Sequence, residues 1–328
     1  MHGIRIIRYG GLGDVAMALC TTKALKEEQN LYIEFFTDPI YRDLVKACPY
    51  VDCVITDHEE IQALLRVPDS EHIQIKDLGS VWHGTCGIHE IDSFFQELRT
   101  YTSNSNKQLE INIPQEIIDK IKTIADHTPL LKIRFHGPPK FRQRQILIHP
   151  GISDPSRTWP IKYWNSLTDS LIELGHKVII IGAKHCDGKD VLKINNSDVL
   201  DLTNQLSFLE TIALMRCSDD LISTDSGPIQ LAGTSDIRII GIYSVVNPEC
   251  RLPYRHGELG WNAIGIKPEC EHSPCFLSLH NKKLFNELKY IKNNKVDFHN
   301  TLKNWCINED RFCCMKQITP DKILRYFK

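Results

Sequence analysis

Residues 223 to 234 read Ser-Thr-Asp-Ser-Gly-Pro-Ile-Gln-Leu-Ala-Gly-Thr, directly after the apolar pair Leu221-Ile222. The apolar run ends a strand, and Asp225, Ser226 and Gly227 make a tight turn. Pro228 follows where the first turn of a helix accepts it, because its missing N–H has no helical partner there. Such a turn points free backbone N–H groups and the positive end of a helix dipole at one place, which suits a diphosphate.

A second turn of the same kind stands near the N-terminus. Gly3 to Tyr9 has the alternation and β-branched content of a strand. Gly10-Gly11-Leu12-Gly13-Asp14 follows, and Val15, Leu19, Thr22 and Leu25 then recur at helical spacing. Gly11 to Ala16 also fits the G-x-G-x-x-A dinucleotide fingerprint, with Asp38 after the next strand, so an NAD-binding reading stays open beside a nucleotide-sugar one. Glycines that only permit a sharp turn and close helix packing would look the same.

At 328 residues the chain has room for two separate cores. Its 42% hydrophobic content and net charge of −2 describe an ordinary globular protein. No apolar run approaches the ~20 residues of a membrane helix. The N-terminus opens as a strand with charges in it, unlike a secretory signal. Twelve cysteines without such a signal argue against a disulfide framework. The cytoplasm, including the inner face of the membrane, is the expected location. Five cations and no acid lie between Lys132 and Arg144, and from Phe276 onward eleven Lys or Arg stand against five Asp or Glu. This excess fits either a solvated linker and tail or attraction to an anionic partner such as a glycolipid or membrane surface. Aromatic interleaving is sparse, which excludes nucleic acid as the expected partner.

The first half alternates strands (3–9, 31–36, 52–56, 72–77) with helices (14–28, 39–47, 59–65, 90–101, 115–126). His136-Gly137-Pro138-Pro139 cannot continue a helix or a central strand, which places the hinge there. A fresh alternation follows: strand 145–151, helix 161–174, strand 177–182, helix 188–194, strand 199–201, helix 207–216, strand 220–223, helix 228–234 and strand 237–243. The expected fold is α/β, with two Rossmann-like doubly wound parallel-sheet domains, residues 1–140 and 141–328, facing a central cleft.

These pieces together resemble glycosyltransferase family 9, the ADP-heptose:lipopolysaccharide heptosyltransferases. The matching segments are Arg8 to Lys26, Ile148-His149-Pro150-Gly151 and Arg157-Thr158-Trp159-Pro160. Val178 to Gly182 and Asp201-Leu202-Thr203 follow, then Asp225 through Ala232 and the ending Cys314 to Pro320, all in family order. The resemblance implies a GT-B fold and inverting transfer of a heptose-like sugar from a nucleotide-diphosphate donor, ADP-heptose first. It implies no catalytic metal, and an acceptor hydroxyl on lipopolysaccharide core or another glycoconjugate, with a protein or small-molecule acceptor as the alternative.

Such chemistry needs a base for the acceptor proton and positive charge for the leaving diphosphate. By resemblance Asp14 is the base. Arg157 takes the place of the family's phosphate-binding lysine and keeps its charge. Gly11, Gly13, Asp225, Ser226, Gly227 and Gln230 line the donor side. Trp159-Pro160 reads as structural, and His149, at a strand end, fits either a cleft-facing or a structural role. Two positions depart from the pattern. Gln230 stands where members usually carry His, and Lys184 where an acid contacts the nucleotide ribose, with Asp187 as the nearest substitute. His89 and Asp92 lie in a segment resembling the acceptor-side helix.

Cys270, Cys275, Cys306, Cys313 and Cys314, with His272 and His280 nearby, could close a structural zinc or iron site. Their spacing is looser than C-x-x-C pairs, and reduced thiols packed as small hydrophobes are the competing expectation. Two other readings are an NAD-dependent oxidoreductase and a non-catalytic sugar-nucleotide-binding module.

Overall fold

Strand β1 (Gly3–Ile7) is buried along its whole length, because parallel strands flank it on both sides. Its one charge in mid-strand, Arg5, is directly opposite Glu34 of β2 (Tyr32–Phe36) and pairs with it at 2.6 Å. With β3 (Cys53–Ile55) and β4 (Ile73–Asp77) the order is β3-β2-β1-β4, all parallel. The computed structural model describes residues 2–65, 73–80, 87–127, 142–151, 155–183, 192–271, 273–274, 306, 310 and 312–328.

Helix α1 (Leu12–Leu19) follows β1 and stops short of the expected 14–28 span, with α2 (Thr22–Glu27) as a separate piece. The break has a local cause: the Thr21 and Thr22 hydroxyls donate to the carbonyls of Ala18 and Leu19, each at 2.7 Å. Helices α3 (Arg42–Lys46), α4 (His58–Leu65), α5 (Glu90–Glu97) and α6 (Gln115–His127) complete the first half. The expected hinge at 136–139 and the boundary at 140/141 lie outside the described residues.

The second sheet holds β5 (Gln145–His149), β6 (Lys177–Ile180), β7 (Leu200–Asp201), β8 (Asp220–Thr224), β9 (Arg238–Ile242) and β12 (Ala263–Ile266), also all parallel. Its order, β7-β6-β5-β8-β9-β12, reverses direction between β5 and β8, as in a dinucleotide-type doubly wound sheet. Edge strand β12 was not foreseen. Nor was the hairpin of β10 (Tyr254–Arg255) and β11 (Glu258–Leu259), since two- to four-residue strands leave little alternation to read.

Helix α7 (Ile161–Glu173) buries Trp164, Leu167, Leu171 and Ile172 at helical spacing. Helix α8 (Phe208–Arg216) opens with a capping box in which Ser207 and Glu210 satisfy each other's backbone N–H groups. Residues 192–194, expected to end a helix, carry no regular structure. Two short helices, Cys313–Gln317 and Pro320–Leu324, close the second core over Trp159 and Trp164. The Trp159 indole donates to the Ile318 carbonyl at 2.7 Å, consistent with a structural role. Arg142 and Arg144, from the basic run before the second half, pair with Asp219 and fully buried Asp220.

Between the halves, α1 packs on α9 (Gly227–Leu231) and α6 on α8. Val15, Leu19 and Leu44 from the first half share one continuous apolar cluster with Leu214, Ile229 and Leu231 from the second. This shared core holds the two strand–glycine–helix turns together.

Candidate active site

The first turn sits where the first sheet reverses direction, beyond the carboxyl ends of β1 and β4, the usual place for a ligand in such sheets. Arg8, just past β1, sends Nη2 to the Asp14 carboxylate at 3.1 Å and donates through Nη1 to the Leu78 carbonyl at 3.1 Å. Its guanidinium lies 5.4 Å from the centre of the Phe94 ring. Asp14 also accepts the Gly11 N–H at 3.1 Å, which closes the first turn of α1 and fixes the carboxylate's direction. Gly10 has φ +114°, a conformation that favours glycine, and its carbonyl accepts the Tyr41 hydroxyl at 2.9 Å.

The second turn occupies the matching switch point, between β5 and β8. Arg157 Nη1 lies 3.4 Å from the Asp225 carbonyl and 3.8 Å from its carboxylate. The Ser226 hydroxyl donates to the Thr224 carbonyl at 2.9 Å. It also stands 3.0 Å from the Ser223 hydroxyl and 3.2 Å from His149 Nδ1. His149 thus braces the turn from the end of β5. A Cβ on Gly227 would fall 2.7 Å from the Leu12 side chain, and one on Gly13 would sit 3.4 Å from Gly227 Cα. Glycine at both positions lets the two helix N-termini touch.

The two turns hold the same pair of charges with opposite exposure. At the first, the acid is open and the cation covered: the side chains of Asp14 and Arg8 are 37% and 7% exposed. At the second the cation is open and the acid covered, with Arg157 at 35% and Asp225 at 12%. One turn therefore leaves a carboxylate open and the other a guanidinium.

Gln230 is buried and donates its amide to the Arg251 carbonyl. His89 and Asp92 join the two halves. His89 Nδ1 accepts the Ile91 N–H at the start of α5, and Nε2 lies 2.9 Å from the Leu252 carbonyl. Asp92 accepts the Tyr254 hydroxyl at 2.9 Å and pairs with Lys107 at 2.7 Å. Lys184, Asp187, Cys275, His272 and His280 lie outside the described residues. Cys306 Sγ accepts the Phe312 N–H at 3.3 Å, Cys270 is partly buried and Cys314 is buried. The Cys313 thiol is pushed up by desolvation and by its neighbours Cys270, Cys306 and Asp310. Among the described residues no group of three or more His, Cys, Asp or Glu side chains is arranged to hold a metal ion.

Sequence reading assigned no role to Arg8, Glu90 or Arg251. Arg8 carried a signal, being a charge at the end of a buried strand beside the glycine turn. Arg251 and Glu90 carried none, because they meet only through the docking of the two halves.

The family model for glycosyltransferase family 9 (heptosyltransferase) matches residues 94–281, more than half of the chain, in a span that begins after Asp14. No curated protein matches the sequence. Among solved structures, a family 9 glycosyltransferase from Veillonella parvula is similar at 16% identity, covering 99% of this chain and 95% of its own, with a TM-score of 0.66. The Escherichia coli ADP-heptose lipopolysaccharide heptosyltransferase II aligns at 12% identity over 99% and 97%, TM-score 0.61. TibC, an iron-containing dodecameric heptosyltransferase from enterotoxigenic E. coli, was matched also in its complex with ADP-D-β-D-heptose. That complex aligns at 14% identity over 100% of this chain and 77% of its own, TM-score 0.63. The two facing parallel sheets are those of the GT-B fold these enzymes share, and the chain belongs to glycosyltransferase family 9, as a heptosyltransferase-type glycosyltransferase.

Proposed function

We propose that this enzyme transfers a heptose-like sugar from ADP-heptose to an acceptor hydroxyl, with inversion and without a catalytic metal. The observation that carries this reading is the opposite exposure of acid and cation at the two turns. Asp14, held by Arg8 and the Gly11 N–H, takes the acceptor's proton. The freed oxygen attacks the anomeric carbon from the side opposite the diphosphate. The bond from that carbon to the diphosphate oxygen breaks, and its electron pair leaves with ADP. Arg157, held only at 3.4 and 3.8 Å by Asp225, can turn to the departing phosphate, where negative charge grows in the transition state. TibC binds ADP-D-β-D-heptose and the E. coli heptosyltransferase WaaC binds ADP-2-deoxy-2-fluoro heptose, which supports that donor.

The acceptor in this reading is a lipopolysaccharide core or another glycoconjugate, reached at the inner membrane face by a peripheral enzyme. No helix among the described residues is long and apolar enough to cross a membrane. The test is ADP release from ADP-heptose, with GDP- and UDP-sugars and NAD as competitors, and with deacylated lipopolysaccharide core against a peptide acceptor. Release of ADP with a product of inverted configuration supports the reading, and a faster rate with the peptide would move the acceptor to protein. No release from any donor would sink it. Elemental analysis decides the C-terminal cysteines separately. About one zinc or iron per chain, with a lower melting temperature on chelation, would mark a structural site, and metal-free protein would leave them as packed thiols.

A further inference from the structure

Arg251 lies in the loop after β9, is largely buried, and reaches the helices that follow both turns. Its carbonyl accepts the amide of Gln230, which stands on α9 one turn from Gly227. Its guanidinium Nη1 reaches 3.4 Å from the Glu90 carboxylate on α5 and 3.9 Å from Met17 Sδ on α1. Next to it, the Leu252 carbonyl lies 2.9 Å from His89 Nε2. Residues 251–252 are thus tied to the donor-side helix by one contact and to the base-bearing half by three. Burial alone would lower the guanidinium's hold on its proton. The carboxylates of Glu90, Asp225 and Asp14 act the other way and outweigh it. Of these acids Glu90 is in direct contact with the guanidinium.

We infer that Arg251 is a positioning residue of the transfer site, which holds the base-bearing helix α1 in register with the donor turn after β8. A local shift of about 1 Å between reacting groups costs up to about 10²-fold in rate, so such a tie acts on turnover more than on donor affinity. The charge is what the site needs there, since a neutral side chain would leave the buried Glu90 carboxylate without its cation between the docked halves. This inference rests on the reading of Asp14 as base and Arg157 as phosphate ligand.

The experiment compares wild type with Arg251→Met, which keeps volume, and Arg251→Lys, which keeps charge. Initial rates of ADP release from ADP-heptose are measured with deacylated lipopolysaccharide core, beside ADP affinity by calorimetry. Arg251→Met should lower kcat about tenfold or more, with donor KM and ADP affinity within about threefold of wild type. Arg251→Lys should restore most of kcat. Glu90→Gln with Arg251→Gln, a neutral pair, keeps the test open if Arg251→Met does not fold, and it should lose kcat in the same way. A rise in KM with unchanged kcat would make Arg251 an ordinary donor ligand and overturn the inference. Rescue by Met rather than Lys would also overturn it, by reducing the role to packing. Wild-type protein that releases no ADP fails the transfer reading itself, and that result is distinct from an active wild type whose Arg251→Met variant matches it.

Discussion

The turn at Gly10–Asp14 and the turn at Asp225–Gly227 are built from the same parts, a parallel strand, a glycine and a short helix, yet they leave opposite charges open. Around the first, the cation is sealed under the acid by the Leu78 carbonyl and the Phe94 ring. Around the second, the acid is sealed under the cation, close to buried Tyr243. Which partner stays in contact with water decides the role. A covered guanidinium can orient a base but not meet a substrate phosphate, and a covered carboxylate can hold an arginine but not reach an acceptor hydroxyl. The lesson is that a strand–glycine–helix motif supplies direction and dipole, while burial of its flanking charges decides which of them a ligand could meet.

The strongest way to break the comparison is Asp14→Asn. It removes the proton acceptor while leaving the second turn intact, so turnover should fall by about 10²-fold or more, with ADP affinity nearly unchanged. Steady-state rates beside calorimetric ADP titration check this, and an undiminished rate would take Asp14 out of the mechanism.

A second effect tests whether the turns stay docked. Burial pushes the His89 imidazole down to about 4, while in the unfolded chain it titrates near ~6.5. Between those values the unfolded chain binds more protons, so stability is complete above the unfolded value and is lost as pH falls toward 4. The whole shift corresponds to about 3 kcal/mol as an upper figure. Urea midpoints from pH 7 down to pH 4.5 should decline in wild type and decline less in His89→Gln. Equal slopes would mean that other groups set the acid limit.

Gly227→Ala attacks the contact between the turns. Its Cβ would sit 2.7 Å from the Leu12 side chain, an overpacking that should cost about 1–3 kcal/mol. Adding Leu12→Gly, which removes the Cβ that the new methyl meets, should return part of that loss in thermal melts, and a single mutant as stable as wild type would show that the helices part easily. The smallest effect is expected from Arg157→Ala. With the side chain partly solvated, ADP affinity should weaken about tenfold, and Arg157→Lys should lose less. If calorimetry found no change, the phosphate site would lie elsewhere.

Much of this site was legible in one dimension. Asp14 and Asp225 stand at glycine turns whose strands and helices alternate with clear periodicity, so motif and order pointed to their positions, whereas Arg157 and the roles of base and phosphate ligand came only from the family resemblance. His89 and Asp92 were singled out only by resemblance to an acceptor-side helix, and the structure shows both in contacts with the other half, through Leu252 and Tyr254. Gln230 looked like a neutral replacement at a phosphate contact. In the fold its amide is engaged by the Arg251 carbonyl, a residue 21 positions away.

What the chain's order of residues determined alone was the two-sheet α/β plan and the position of both turns, because strand and helix periods and glycine–proline punctuation act over a few residues. The break after Leu19 depended equally on local chemistry, through two threonine hydroxyls, but period alone did not reveal it. Only the tertiary structure decided which of the paired charges is open. It alone joined Glu90 to Arg251 and pressed Gly13 against Gly227. Burial and ion pairing depend on what the opposite half brings within a few ångströms, and that distance is set by the docking of two cores rather than by spacing along the chain.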